Sequence, residues 1–172
     1  MGNNAASSES ERILLIRPSA LGDVCRTVPV LTSLRAFFPD AHLAWLVRDT
    51  CAEAIEAHPA LDEVIIFPRQ AFGTAKWSPR GWSVIGRWLS GLRRRRFDLV
   101  IDAQGLLRSG LFCRATGAGR RIGHADAREG AWLFYTDRVP ARPGQHTVER
   151  MLSLLQPLGA PPIADMELYA PQ

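Results

Sequence analysis

Short apolar runs of strand length alternate with segments of helical periodicity along almost the whole of this 172-residue chain, and that alternation restricts its fold more than any other feature. Residues 12–17 (RILLIR) read as a strand. Val24, Val28, Leu31, Leu34 and Phe38 then recur near helical spacing and stop at Pro39-Asp40. Pro29 is tolerable only in a first turn, so the regular helix is expected to begin near residues 26–28. Residues 41–47 (AHLAWLV) read as a strand, 50–57 as a short helix and 63–67 (EVIIF) as a strand. PRQAFGTAKWSPRG, residues 68–81, reads as a loop or insertion because of its Pro, Gly and Ser. Trp82, Ile85, Leu89 and Leu92 share one helical stripe that ends in Arg93–Arg96. DLVID (98–102) suits a buried central strand, 106–116 a helix, 120–123 a brief strand, 124–144 loops, and 145–158 a last amphipathic helix.

Near-continuous apolar strands alternating with helices imply a parallel sheet covered on both faces and built by right-handed crossovers. The expected fold class is therefore α/β, a Rossmann-like domain whose ligands gather beyond the carboxyl ends of the strands. Two informative loops fall at that edge, residues 17–23 and 103–108.

The composition, 47% apolar and 8% aromatic, is that of an ordinary soluble domain, and no apolar stretch approaches the ~20 residues of a membrane span. MGNNAASSESER has no apolar core, so it is not a secretory signal, and Ala6 breaks the myristoylation pattern. Residues 1–10 read as a disordered polar tail. Cys25, Cys51 and Cys113 are scattered and odd in number, which argues for a reducing, cytoplasmic compartment. The four histidines lack HxxxH or HExxH spacing, so no metal is expected. The net charge is +4, and Lys76 is the only lysine among the basic residues. Arginine forks suit phosphates and carboxylates, so an anionic partner is favoured (sugar acid, phosphate, lipid headgroup or nucleic acid); codon bias is the plain alternative.

Asp23 has two readings. Beside a helix start it is a favoured cap, worth about 1 kcal/mol; at a strand-end crevice it is also placed to deprotonate a hydroxyl. Gly22 permits close backbone approach or positive φ. Neither GxGxxG nor GxxxxGK[ST] occurs, and the glycine-rich run 117–123 follows a helix with the wrong spacing. In DAQGLLRSG (102–110), Gln104 and the Gly105 backbone can meet a sugar hydroxyl, or simply form a polar turn into a helix. Arg93–Arg96 is either a solvated helix end that complements the dipole or, with Trp77, Trp82 and Trp88, a membrane-surface patch, Trp82 being assigned to the core. No nucleic-acid recognition motif is present.

RILLIRPSALGDVCRTVPVLTSLRAFFPDAHLAWLV, HPALDEVIIFP, FDLVIDAQGLLRSG, RIGHADAREGAWLFY and QHTVERMLSLLQPLG occur in that order. Over residues 11–160 they resemble the N-terminal half of bacterial lipopolysaccharide heptosyltransferases, glycosyltransferase family 9. The DAQGL form of the second loop is more similar to heptosyltransferase I than to II. The resemblance implies one half of the two-domain GT-B fold: residues 11–160 as the acceptor-binding domain, 161–172 as the start of the interdomain linker, and a donor-binding domain not included. It implies metal-independent, inverting transfer of heptose from ADP-heptose, bound by that other domain, to Kdo of the lipid A–inner core at the cytoplasmic face of the inner membrane. Asp23, in the matching S-x-x-G-D motif, would be the general base. Arg17 would hold the acceptor in bidentate fashion, with Arg69, Arg108 and Arg128 as further anion-binding candidates and Ser19, Gly22 and Gln104 as positioning groups. Arg17 stands where lysine is common and Arg26 where histidine is frequent. The chain by itself is expected to be inactive. The alternative is a non-catalytic Rossmann-like module for an anionic partner.

Overall fold

The computed structural model describes residues 11–75, 79–142 and 144–169, so the expected tail at 1–10 and Trp77 lie outside the described residues. Its strands are β1 (Arg12–Ile16), β2 (His42–Arg48), β3 (Glu63–Phe67), β4 (Leu99–Asp102), β5 (Arg120–His124) and β6 (Asp137–Val139). They form one parallel sheet in the order β3-β2-β1-β4-β5-β6. The chain steps outward from β1 to β2 and β3, then returns to place β4 on the other side of β1. The order therefore reverses between β1 and β4, the point where open α/β sheets form a ligand crevice. Ile16 pairs with Asp102 there, so the loops leaving both strands start side by side.

The helices are α1 (Leu21–Cys25), α2 (Val28–Phe37), α3 (Asp49–Ala52), α4 (Arg69–Ala75), α5 (Pro79–Arg94), α6 (Leu107–Ala115) and α7 (Thr147–Ser153). Alternate residues of β1 point to opposite faces, as a pleated strand requires. Ile13 and Leu15 join a core with Val28, Leu31 and Leu34 of α2, Cys51 of α3 and Met151 of α7. Leu14 and Ile16 join the opposite core with Leu92 of α5 and Phe112 of α6. The two layers differ in charge. Helices α4, α5 and α6 carry seven exposed arginines (Arg69, Arg80, Arg87, Arg93, Arg94, Arg108 and Arg114) and no acid, whereas α1, α2, α3 and α7 mix Asp23, Asp49 and Glu149 with Arg35 and Arg150.

Several expectations need correction. Residues 68–81 are not a plain loop: they contain α4 and the start of α5. Phe72 anchors that helix, packing edge-on against Phe67, Trp88 and Phe112 at 5.1–5.7 Å. Trp82 is 61% exposed and not core; Trp88, six residues on, is partly buried and packs against Phe67, Phe72 and Phe112 instead. The helix expected over 50–57 stops at Ala52. The stretch 124–144 contains a 3-10 segment (Arg128–Phe134) and the three-residue β6, too short for its periodicity to register. Among the described residues no helix is long and apolar enough to cross a membrane.

Candidate active site

The loop leaving β1 gathers Arg17, Ser19, Gly22 and Asp23. Asp23 does not cap a helix. The first turn of α1 has Ala20 as its N-cap with no side-chain cap bond, and Asp23 sits inside it. Its carboxylate is held by side chains instead: the Ser19 hydroxyl donates to Oδ2 at 2.8 Å, the Arg17 Nη2 lies 3.3 Å from Oδ2, and the Arg26 Nη1 lies 3.6 Å from Oδ1. The side chain is 34% exposed, so the acid keeps an open side while its protein partners orient it. Thr27 fixes the backbone below by donating to the Asp23 carbonyl at 2.8 Å. Gly22 is helical, without the positive φ considered for it, and an added Cβ would meet nothing within 4 Å. What glycine leaves beside Asp23 is open space.

Arg17 is buried, and its fork is turned inward. One terminal nitrogen donates to the Ala103 carbonyl beyond β4, and the other faces Asp23. Burial lowers its pKa, and Asp23 and Asp102 work against that fall. The bidentate grip on an acceptor expected of Arg17 is thus already given to the protein's own two loops.

The loop leaving β4 is built on Asp102, which the sequence reading treats only as a strand residue. It is fully buried. Its Oδ1 accepts from the Gln104 and Gly105 amides at 2.9 and 3.1 Å, and its Oδ2 accepts from the Tyr135 hydroxyl at 2.7 Å. Burial pushes this carboxyl above its ordinary value, and the Tyr135 and Ser109 hydroxyls and the two amides pull it back. The Gly105 N–H is therefore engaged and not offered to a ligand. Gly105 turns at φ 68°, a conformation that favours glycine, and its carbonyl accepts from the Arg128 amide at 2.9 Å. Tyr135 reaches Asp102 only because Gly123 has no side chain: a Cβ there would lie 2.2 Å from the ring.

Between these loops and α7 lies a cavity of about 270 Å³, lined among others by Arg17, Gln104, His124, Asp126, Arg128 and Arg150. Gln104 and Arg128, both expected at the site, meet Arg17 in its wall. Arg69 and Arg108 do not line it. Arg69 is exposed at the start of α4, and the Arg108 guanidinium stacks over Phe67 at 5.0 Å. His124, Asp126 and Arg150 were not anticipated. Their signal was positional: His124 ends a strand at the crevice edge and Asp126 follows it. Arg150 donates to Asp126 at 2.6 Å, which holds that carboxyl below its ordinary value. Burial lowers the His124 pKa to about 4, helped by Arg150 and Arg17. The three cysteines are unpaired, and no group of His, Cys, Asp and Glu among the described residues could hold a metal ion.

The arrangement offers one partly open carboxylate beside a cationic, hydrogen-bonding cavity, suited to taking a proton from a hydroxyl of an anionic ligand. The chain is 36% identical over 151 residues to lipopolysaccharide heptosyltransferase 1 of Pseudomonas aeruginosa, an alignment spanning 83% of this chain and 41% of that one. It is 31% identical over 146 residues to lipopolysaccharide heptosyltransferase 1 of Escherichia coli K12, covering 83% and 46%. The solved E. coli heptosyltransferase WaaC with ADP-2-deoxy-2-fluoro heptose superposes with a TM-score of 0.76 at 30% identity, over 88% of this chain and 50% of that one. The chain thus spans about half the length of the relatives it matches, and its fold corresponds to one half of a GT-B enzyme. The model of glycosyltransferase family 9 (heptosyltransferase) matches residues 85–172, and the chain belongs to that family.

Proposed function

We propose that this chain is the acceptor-binding side of a cytoplasmic heptosyltransferase that moves heptose from ADP-heptose to Kdo of the lipid A–inner core, with inversion and without a metal. Residues 11–160 form the acceptor unit. Residues 161–172 begin the link to a donor-binding half, a reading supported by the lack of helix or strand over 161–169. Asp23 is the general base. It accepts the proton of the attacking Kdo hydroxyl as the sugar oxygen bonds to the anomeric carbon and ADP leaves from the opposite face. Developing positive character on the donor ring resembles that of other glycosyl transfers. Arg17 keeps Asp23 in place, and Gln104, Arg128 and Arg150 face the acceptor.

The observation that carries this reading is the Asp23 carboxylate, held by Ser19, Arg17 and Arg26, one-third exposed, and paired with the Arg17 that lines the cavity. The test is heptose transfer by this domain joined to a donor-binding half, with Asp23 and with Asp23→Asn. Loss of general-base assistance lowers the rate about 10²–10⁴-fold. Near-normal turnover by Asp23→Asn would return Asp23 to a structural role. The 172 residues alone are expected to transfer nothing. A non-catalytic module for an anionic partner is the second reading, favoured by the arginine-rich layer of α4–α6. It predicts acceptor binding with no transfer even when the donor half is supplied.

A further inference from the structure

His124 ends β5 and is 3% exposed, yet neither Nδ1 nor Nε2 has a hydrogen-bond partner in the protein. The Val139 carbonyl lies close enough to favour the protonated ring slightly, without reaching hydrogen-bond geometry. Buried polar atoms are seldom left unmet, so the ring calls for a partner in the cavity that it lines. Two neighbours in the same wall share this condition: the Gln104 Oε1 and the Arg17 Nε are also buried without partners. Three adjacent strand ends, β1, β4 and β5, thus each carry an unmet polar group on a residue that lines the cavity.

The mix of groups defines the ligand. Arg128 and Arg150, with the unmet Arg17 Nε, supply donors and positive charge, which a carboxylate or phosphate satisfies. Gln104 Oε1 is an acceptor only, and a neutral imidazole has one donor and one acceptor nitrogen. A bare anion leaves both acceptors unmet; hydroxyl groups satisfy them. The ring is kept neutral near pH 7 by burial and by the flanking cations Arg150 of α7 and Arg17 after β1, against the weaker opposing pull of Asp126. At about 270 Å³ the cavity lies near the lower end of ligand pockets and suits a single sugar unit.

We propose that His124 is a specificity-determining residue, its ring donating to one hydroxyl and accepting from another on a polyhydroxy sugar acid seated among Arg17, Gln104, Arg128 and Arg150. The inference rests on the acceptor-side reading given above and adds the residue that separates a sugar acid from other anions.

The test titrates the 172-residue chain with free Kdo and with tetrahydropyran-2-carboxylate, which keeps a ring and carboxylate but no hydroxyls. Binding is measured by calorimetry, and the His124 ring nitrogens are followed by ¹⁵N NMR. Kdo is expected to bind about tenfold or more tightly than the stripped acid and to move both ring-nitrogen signals, which the stripped acid leaves in place. His124→Phe loses that preference and His124→Gln keeps part of it, while the stripped acid binds all three proteins alike. Kdo binding that leaves the ring signals unmoved, equal affinity for the two acids, or undiminished Kdo binding by both variants would overturn the role of His124 and leave the acceptor reading standing. Failure of Kdo to bind the wild-type chain would overturn the acceptor reading, and this inference with it. The ring signals are read on the wild-type chain, so the test holds even if a variant fails to fold.

Discussion

Two carboxylates stand at the ends of neighbouring strands and are treated in opposite ways. Asp23, beyond β1, is one-third exposed and held only by side chains: a hydroxyl and two guanidinium groups. Asp102, ending β4, is fully buried and takes two backbone amides and a phenol. The first arrangement leaves a carboxylate oriented yet accessible. The second uses a carboxylate as a fastening for the turn that carries Gln104. An acid at a strand end is thus not a site by position alone; the nature of its donors and its access to the crevice decide its use.

Substitution at the two positions should separate the roles. The largest effect is expected from Asp23→Asn in a complete transferase: a rate loss of about 10²–10⁴-fold, equivalent to about 3–5 kcal/mol in the barrier. Its unfolding midpoint in urea should stay near the wild-type value. A matching loss of stability would erase the contrast with Asp102.

Next comes the buried wall's response to acid. The unfolded chain protonates histidine near 6.5, whereas folded His124 does so near 4. The folded state therefore binds that proton less readily. The contribution to stability is full above about pH 6.5 and is lost as pH falls toward 4, at most about 3 kcal/mol. His42 and His58, also lowered by burial, act in the same direction, and Asp102 acts in the opposite one. Urea unfolding at pH 7 and pH 4.5 should show a smaller difference for His124→Gln than for wild type; an unchanged difference would remove His124 from the account.

Tyr135→Phe deprives the buried Asp102 of its phenol donor and should cost about 1–3 kcal/mol in the same measurement. A neutral result would mean that the two amides suffice to hold Asp102. The smallest effect belongs to the exposed rim. Arg26 is half-exposed and 3.6 Å from Asp23, so Arg26→Ala should change stability by no more than about 1 kcal/mol, and less in high salt.

The sequence made five of the six strands readable, four of them because buried parallel strands are nearly continuous apolar runs. It also led to Arg17, Gln104 and Arg128, which line the cavity, and to Asp23, which pairs with Arg17 without lining it. It did not reveal the Asp102–Tyr135 bond, since that contact joins residues 33 positions apart and depends on the bare backbone of Gly123. His124 was hidden for a related reason: the cavity that gives it meaning is closed by Arg150 from a distant helix. Trp82 and Leu92 show the limit of periodicity, which marks a stripe without saying which of its members the fold will cover: Trp82 is 61% exposed and Leu92 buried.

The uneven charge of the two helical layers gives the molecule a lasting polarity across its sheet. Close to a negatively charged plane, and before anything touches, that polarity exerts a torque that turns α4, α5 and α6 toward it. At physiological ionic strength the torque fades beyond about 8 Å. A molecule so biased arrives already rotated, and part of the orientational search is finished before contact.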